Sequence, residues 1–273
     1  MIQRIVVTGS EAKADLKAVP VARSLAHQLS VPVSLLSVAS GAAEAATRRD
    51  HLGKALRRMG ERSIEIETMI DPSIAAKIVA EVEARDGTLL CMATHARRSL
   101  AEVVVGSVAE DVIRHIGSAV LVLGPKAAER TLGAIQIVLV ALDGSRRAEA
   151  ILPDAAGLAK TLRAELRLLR AAPPSLRMEP NVQSSGVDEE RYLKDVAETV
   201  ETRHGVEPSI HVFPSGEPAR RIAEYAKQFE EPLIAMTTHG RTGIRKTVLG
   251  SVADDLLRTA PCPILLRGPT GTG

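Results

Sequence analysis

Aromatic residues are nearly absent from this chain of 273 residues, which has no tryptophan, two tyrosines (Tyr192, Tyr225) and two phenylalanines (Phe213, Phe229). A surface that stacks the bases of single-stranded nucleic acid, or the faces of sugars, needs several such rings, so the scarcity excludes it. Cysteine is equally scarce. Cys91 and Cys262 cannot build a disulfide framework or a four-cysteine zinc site. Each lies in or beside an apolar run, Leu89-Leu90-Cys91-Met92 and Pro261-Cys262-Pro263-Ile264, which reads as a buried, inert thiol. Charge of one sign is lacking as well: 35 Lys and Arg against 33 Asp and Glu leave a formal net charge of +2. That balance excludes a dedicated polyanion binder, whose affinity depends on a concentrated basic surface. No apolar run approaches the ~18 residues of a membrane helix, and the opening Met1 to Val7 enters a turn without the apolar core of a secretory leader. The expectation is a cytoplasmic protein with neither a nucleic acid nor a membrane as partner.

What is present is a repeat. Ile5-Val6-Val7-Thr8-Gly9-Ser10 returns about 135 positions later as Val140-Ala141-Leu142-Asp143-Gly144-Ser145. Thr94-His95-Ala96-Arg97 returns as Thr238-His239-Gly240-Arg241, and Gly106-Ser107-Val108-Ala109-Glu110-Asp111 as Gly250-Ser251-Val252-Ala253-Asp254-Asp255, both about 144 positions later. The larger displacement calls for extra residues in the second half, and the Pro- and Ser-rich run from Pro173 to Gly186 reads as the extended loop that holds them. Two domains follow, residues 1–127 and 134–273, joined between Gly124-Pro125-Lys126 and Gly133.

Within each half, apolar β-branched runs alternate with amphipathic stretches. Strands are expected near Ile2–Val7, Val33–Val38, Ile64–Met69, Leu89–Ala93 and Ala119–Leu123, then near Ile135–Leu142, Glu165–Leu169, Ser209–Phe213, Leu233–Thr237 and Pro263–Leu266. Helical patterns such as Val19–Leu29, Ile74–Glu83 and Val108–Ile113 lie between them. Strand–helix alternation of this kind means an α/β fold, a parallel sheet with helices on both faces.

Ligands of such sheets sit beyond the carboxyl ends of the strands. In the second half those ends carry Asp143-Gly144-Ser145 and Thr237-Thr238-His239-Gly240-Arg241-Thr242-Gly243, followed by Gly250 and Ser251. Glycine after a strand lets the backbone approach a ligand closely. Ser251 followed by Asp254 reads as an N-cap with its capping-box partner, opening a helix whose N–H groups face outward as a phosphate seat. A Gly-Ser turn that merely starts a helix is the alternative reading.

These residues carry a resemblance. Ala141-Leu142-Asp143-Gly144-Ser145, then Thr237 to Gly243 with Gly250-Ser251-Val252-Ala253, and finally Ala260-Pro261-Cys262-Pro263-Ile264-Leu265-Leu266 closely resemble the universal stress protein (UspA-like) family. The resemblance covers nearly the whole chain, once per half, as a tandem type. It implies two doubly wound domains, each a five-stranded parallel sheet in the order 3-2-1-4-5, with a nucleotide crevice between the first and fourth strands. ATP-binding members use Gly-x2-Gly-x9-Gly-(Ser/Thr) for phosphates and ribose, and an Asp at the end of the first strand near the adenosine. The second half matches with Asp143, Gly240, Gly250 and Ser251, and departs with Thr237 at the first glycine position. The first half has Thr8 for the Asp and Ala93 and Ala96 for two glycines, keeping only Gly106-Ser107. A methyl at Ala96 would intrude where phosphate meets bare backbone.

The implied ligand is therefore ATP, alone or with Mg²⁺, at most one per chain, held by Asp143, Thr237, His239, Gly240, Arg241, Gly243, Gly250, Ser251 and Val252. His239, like His95, lacks further ligands at metal-binding spacing and reads as a partner of the loop backbone. Arg241 reads either as a phosphate contact or as a solvated surface charge. The chain lacks the Gly-x4-Gly-Lys-(Ser/Thr) loop, the Gly-x-Gly-x-x-Gly fingerprint and the Gly-x-Ser-x-Gly elbow, so no turnover enzyme and no catalytic residue is expected. A protein–protein interaction module of the same fold that binds no nucleotide is the competing reading. The last strand of each half would be an exposed edge in the implied order, so the halves are expected to pair within one chain, with a homodimer of chains as a further option.

Overall fold

The computed structural model describes residues 1–10, 15–94, 106–127, 133–171, 185–214, 216–238 and 249–268. The first half contains β1 (Arg4–Thr8), α1 (Ala18–Leu29), β2 (Val33–Ala39), α2 (Ala42–Arg58), β3 (Glu65–Ile70), α3 (Ile74–Glu83), β4 (Thr88–Ala93), α4 (Ser107–His115) and β5 (Ala119–Leu123). The second contains β6 (Ile137–Leu142), a 3₁₀ turn (Ala148–Ile151), α5 (Leu152–Leu162), β7 (Glu165–Ala171), α6 (Ser185–His204), β8 (Ser209–Phe213), α7 (Pro218–Ala226), β9 (Pro232–Thr237), α8 (Ser251–Thr259) and β10 (Ile264–Arg267). The loop expected from Pro173 to Gly186 lies outside the described residues except at its end, where Ser185 and Gly186 already belong to α6.

All strands join one sheet in the order β3-β2-β1-β4-β5-β10-β9-β6-β7-β8. Neighbours within each half are parallel, which requires crossover connections, here made by helices. Each half thus runs 3-2-1-4-5. The halves meet through β5 and β10, which pair antiparallel from Ile264↔Val122 to Arg267↔Ala119. The pairing of the halves expected from their exposed last strands produces a single ten-stranded sheet, because each edge finds its partner in the other half. Those edges are consumed, so any homodimer of whole chains uses another surface.

Burial explains why the central strands β4, β5, β6 and β9 read as nearly unbroken apolar runs. On β6, Val138, Val140 and Leu142 belong to the core on one face of the sheet, shared with α1 and α5, while Ile137 and Leu139 belong to the core on the other, shared with α4, α7 and α8. Successive side chains point to opposite faces, and both faces are covered. Cys91 and Cys262 are buried free thiols, and burial pushes the Cys91 thiol far up.

The join between the halves demands two glycines. A Cβ on Gly124, just after β5, would lie 1.9 Å from the carbonyl oxygen of Leu257 in α8, and one on Gly268, just after β10, 2.4 Å from that of Ile113 in α4. The repeat is thus closed by a reciprocal contact: the end of each half lies against a helix of the other. Arg267 on β10 adds an ion pair from Nη1 to Asp154 Oδ2 at 2.5 Å and donates from Nη2 to the Gly117 carbonyl at 3.1 Å.

Candidate functional site

The carboxyl ends of β6 and β9 are neighbours in the sheet, and from them the chain departs to opposite faces. β6 ends in the sharp turn Asp143-Gly144-Ser145. Gly144 holds φ +81°, a backbone state that favours glycine. The Asp143 carboxylate closes the turn by accepting from the Ser145 amide at 2.9 Å and the Ser145 hydroxyl at 2.6 Å. Ser145 Oγ in turn accepts from the Ala148 amide at 3.2 Å. This Asx turn leads directly into the 3₁₀ segment.

Opposite, Thr237 ends β9 and Thr238 follows it, and both are buried. The Thr238 amide donates to the Arg267 carbonyl at 2.9 Å, and the Gly250 amide donates to the Thr238 carbonyl at 2.7 Å. These bonds pin the start of α8 to the end of β9. The capping-box expectation is corrected here. Gly250, with φ −67° and ψ 158°, occupies the N-cap, and no side chain caps the helix. Ser251 is the first helical residue, and Asp254 pairs with Arg258 one turn on. Its partner in the first half behaves alike, with Gly106 as the cap of α4 and no side-chain bond. Lacking a side-chain cap, α8 leaves the N–H groups of its first turn facing outward.

Between these elements lies a cavity of about 250 Å³, partly open to solvent. Asp143, Thr237, Gly250, Ser251 and Val252 line it, all five expected from the sequence. His239, Gly240, Arg241 and Gly243 lie outside the described residues. Sequence reasoning missed the apolar wall, formed by Ala171, Pro218, Ile222 and Met236. Its signal was the set of strand-end and helix-start positions in β7, β9 and α7. Among the described residues no three of His, Cys, Asp or Glu gather where they could hold a metal.

Beneath the turn lies a charged group with no counterpart in the motif. Arg170, near the end of β7, is buried and donates from Nε to Glu189 on α6, which is also buried. Its guanidinium carbon lies 5.5 Å from the centre of the Tyr192 ring, and Tyr192 donates to Glu149 at 3.0 Å. Burial, reinforced by the Glu149 carboxylate, pushes the Tyr192 phenol well above its ordinary value, so it remains a donor.

The first half ends its corresponding strand differently. Gly9 lacks the positive φ, and its amide donates to the Leu36 carbonyl at 3.0 Å, extending the β1–β2 ladder. Thr8 stands where Asp143 does. Thr94 ties β4 to β5, its amide donating to the Leu123 carbonyl at 2.8 Å, as Thr238 ties β9 to β10. Ala93 is buried; Ala96 lies outside the described residues.

Comparison with known proteins places this geometry. The model of the universal stress protein family matches residues 1–124 and, separately, 134–266. Universal stress protein YxiE of Bacillus subtilis is 26% identical over 143 residues, 47% of this chain and 96% of that one. Universal stress protein Rv2005c of Mycobacterium tuberculosis is 25% identical over 210 residues, 76% of this chain and 70% of that one. A universal stress protein from Archaeoglobus fulgidus has a similar structure, with a TM-score of 0.65 at 17% identity over 98% of both chains. A functionally unknown protein, PA1789 of Pseudomonas aeruginosa, has a TM-score of 0.66 at 20% identity, over 98% of this chain and 93% of that one. At these identities the structural likeness is one of fold.

Proposed function

The chain belongs to the universal stress protein family, and on that premise we propose that it is a cytoplasmic stress-response factor whose C-terminal half binds ATP or a related adenine nucleotide. One nucleotide is bound per chain, and binding rather than turnover is the activity. The observation that carries this reading is the cavity itself. It lies at the carboxyl ends of β6 and β9, the place where open α/β sheets take ligands, and collects Asp143, Thr237, Gly250, Ser251 and Val252 around one space.

The chemistry suits a nucleotide in two parts. The apolar wall and a volume of about 250 Å³, just under the ~300–1,000 Å³ of drug-sized sites, accommodate the nucleoside end. The uncapped first turn of α8 offers N–H groups and about half a positive charge to the phosphates. His239, Gly240, Arg241 and Gly243, the loop contacts expected from the sequence, lie outside the described residues. Asp143 accepts from the adenosine while its bonds to Ser145 hold it in place. A Mg²⁺ ion would arrive on the phosphates, since it dehydrates reluctantly and is commonly held through substrate phosphates, a carboxylate or two and retained waters. The first half has Thr8 in place of the carboxylate and adds methyls at Ala93 and Ala96. No helix among the described residues is long and apolar enough to cross a membrane. Mass spectrometry of ligand released from the purified chain, followed by calorimetric titration with ATP, tests the reading. One adenine nucleotide per chain is expected. No released nucleotide together with no heat overturns it in favour of a nucleotide-free interaction module.

A further inference from the structure

An arginine buried under a loop is costly to desolvate, and the fold does not require one here. The β1–β2 register pairs Val7 with Leu35, and the β6–β7 register pairs Leu142 with Arg170. Val7 precedes Thr8 and Leu142 precedes Asp143, so Leu35 and Arg170 occupy the same place in the two halves. Both lie against the glycine of their turn: a Cβ on Gly9 would meet Leu35 Cδ2 at 3.1 Å, and one on Gly144 would meet Arg170 Nη2 at 2.8 Å. One half fills the space with a hydrocarbon. The other fills it with a buried ion pair to Glu189, beside Tyr192.

We propose that Arg170, Glu189 and Tyr192 are positioning residues for the Asp143 turn, holding the carboxylate at the cavity and tying it to α6. The connections close a ring. Arg170 comes from β7 and lies directly beneath Gly144. Glu189 and Tyr192, three residues apart on one face of α6, hold its guanidinium. Tyr192 then reaches Glu149, in the 3₁₀ segment that follows the turn. The turn is thus gripped from below through Gly144 and from its far end through Glu149, while Asp143 and Ser145 close it internally. The planar guanidinium suits both contacts, an edge for the carboxylate and a face for the ring. Leu35 offers neither, and Thr8 stands above it where the second half has the Asp143 carboxylate. Any ligand that presses on Asp143 is thereby mechanically connected to α6.

The proposal rests on the nucleotide reading for its affinity consequence alone; the positioning itself is measured without ligand. The full chain carrying Arg170→Leu with Glu189→Leu reproduces the hydrocarbon arrangement of the first half, a replacement that buried ion pairs commonly tolerate. In hydrogen–deuterium exchange without nucleotide, the amides of Ser145 and Ala148 are expected to exchange at least tenfold faster than in the wild type. Amides of the remaining strands keep their protection, and the thermal midpoint stays near the wild-type value. ATP affinity falls at least tenfold in the same variant. Tyr192→Phe, which deletes one hydroxyl, is expected to raise exchange from 148 to 151 severalfold, and it decides the matter should the double variant not fold. Unchanged exchange over these segments overturns the proposal whether or not nucleotide binds, as does an affinity loss that merely follows a fall in the thermal midpoint. A wild-type chain that binds no ATP overturns the nucleotide reading instead, and the exchange result still judges the positioning.

Discussion

The two halves build the same sheet and finish the same strand in opposite ways. In the first, Gly9 prolongs the ladder, its amide bonded to the Leu36 carbonyl, over the hydrocarbon of Leu35. In the second, Gly144 at φ +81° turns the chain out of the sheet, over the buried pair of Arg170 and Glu189. The shared parts are those that make the fold: apolar strands, helix starts at Gly106 and Gly250, and the threonines that tie strand four to strand five. The differing parts cluster beyond the carboxyl ends of the second half, around the cavity. A sheet buried on both faces tolerates such change because strand ends carry little of the core.

The strongest test of this comparison attacks what the halves share. Gly124→Ala and Gly268→Ala each force a methyl onto a carbonyl of the opposite half, at 1.9 and 2.4 Å respectively. Each is expected to lower stability by about 3 kcal/mol, Gly124→Ala by the more, in chemical denaturation. An unchanged midpoint for either would break the reciprocal join.

Next in size is the asymmetry of the site. Asp143→Ala removes a charged hydrogen-bond acceptor, about 1.5–3 kcal/mol and so roughly ten- to a hundredfold in ATP affinity. Thr8→Ala should leave affinity unchanged. Calorimetry showing two equivalent sites per chain would erase the distinction between the halves.

A smaller effect separates the two turns. Gly144→Ala places a side chain at positive φ and 2.8 Å from Arg170 Nη2, at an expected cost of about 1–2 kcal/mol. Gly9→Ala, without positive φ and facing a flexible leucine at 3.1 Å, should cost clearly less. Denaturant midpoints compare the pair directly, and equal losses would mean that the turns are equivalent.

The smallest expected effect is a pH dependence confined to the second half. His211 on β8 stacks on Tyr225 of α7 with ring centres 4.3 Å apart. Burial, and then the Arg167 cation nearby, hold its pKa below the ordinary 6.5. The folded chain therefore disfavours the imidazolium. This contribution to stability is complete above about pH 6.5 and is lost as pH falls through the lower folded-state value. His211→Phe should flatten the slope of denaturant midpoint against pH in that window. A slope identical to the wild type would remove His211 as its source.

Much of this was legible in the residues. β-Branched runs without polar interruption read as strands buried on both faces, and the repeated Thr-His and Gly-Ser-Val-Ala segments located corresponding points in each half. The lining of the candidate cavity was legible where chemistry is local, as at Asp143, Gly250 and Ser251. It was misread where a local pattern met a distant partner. Ser251 and Asp254 have capping-box spacing, yet Gly250 takes the cap because its amide reaches the Thr238 carbonyl across the loop. The strand expected near Glu165–Leu169 continues through Arg170 to Ala171, and Glu189 on α6 pairs with the buried Arg170.

The sequence by itself determined the class of the fold, its duplication and the chemistry available at the strand ends, because periodicity and spacing act over a few residues at a time. Only the tertiary structure decided the antiparallel register in which β5 meets β10, that Gly124 and Gly268 exist to admit a helix of the other half, and that a buried arginine lies beneath the Asp143 turn. Each of these depends on groups brought together from distant parts of the chain, where steric exclusion and desolvation, rather than local propensity, set which residue fits.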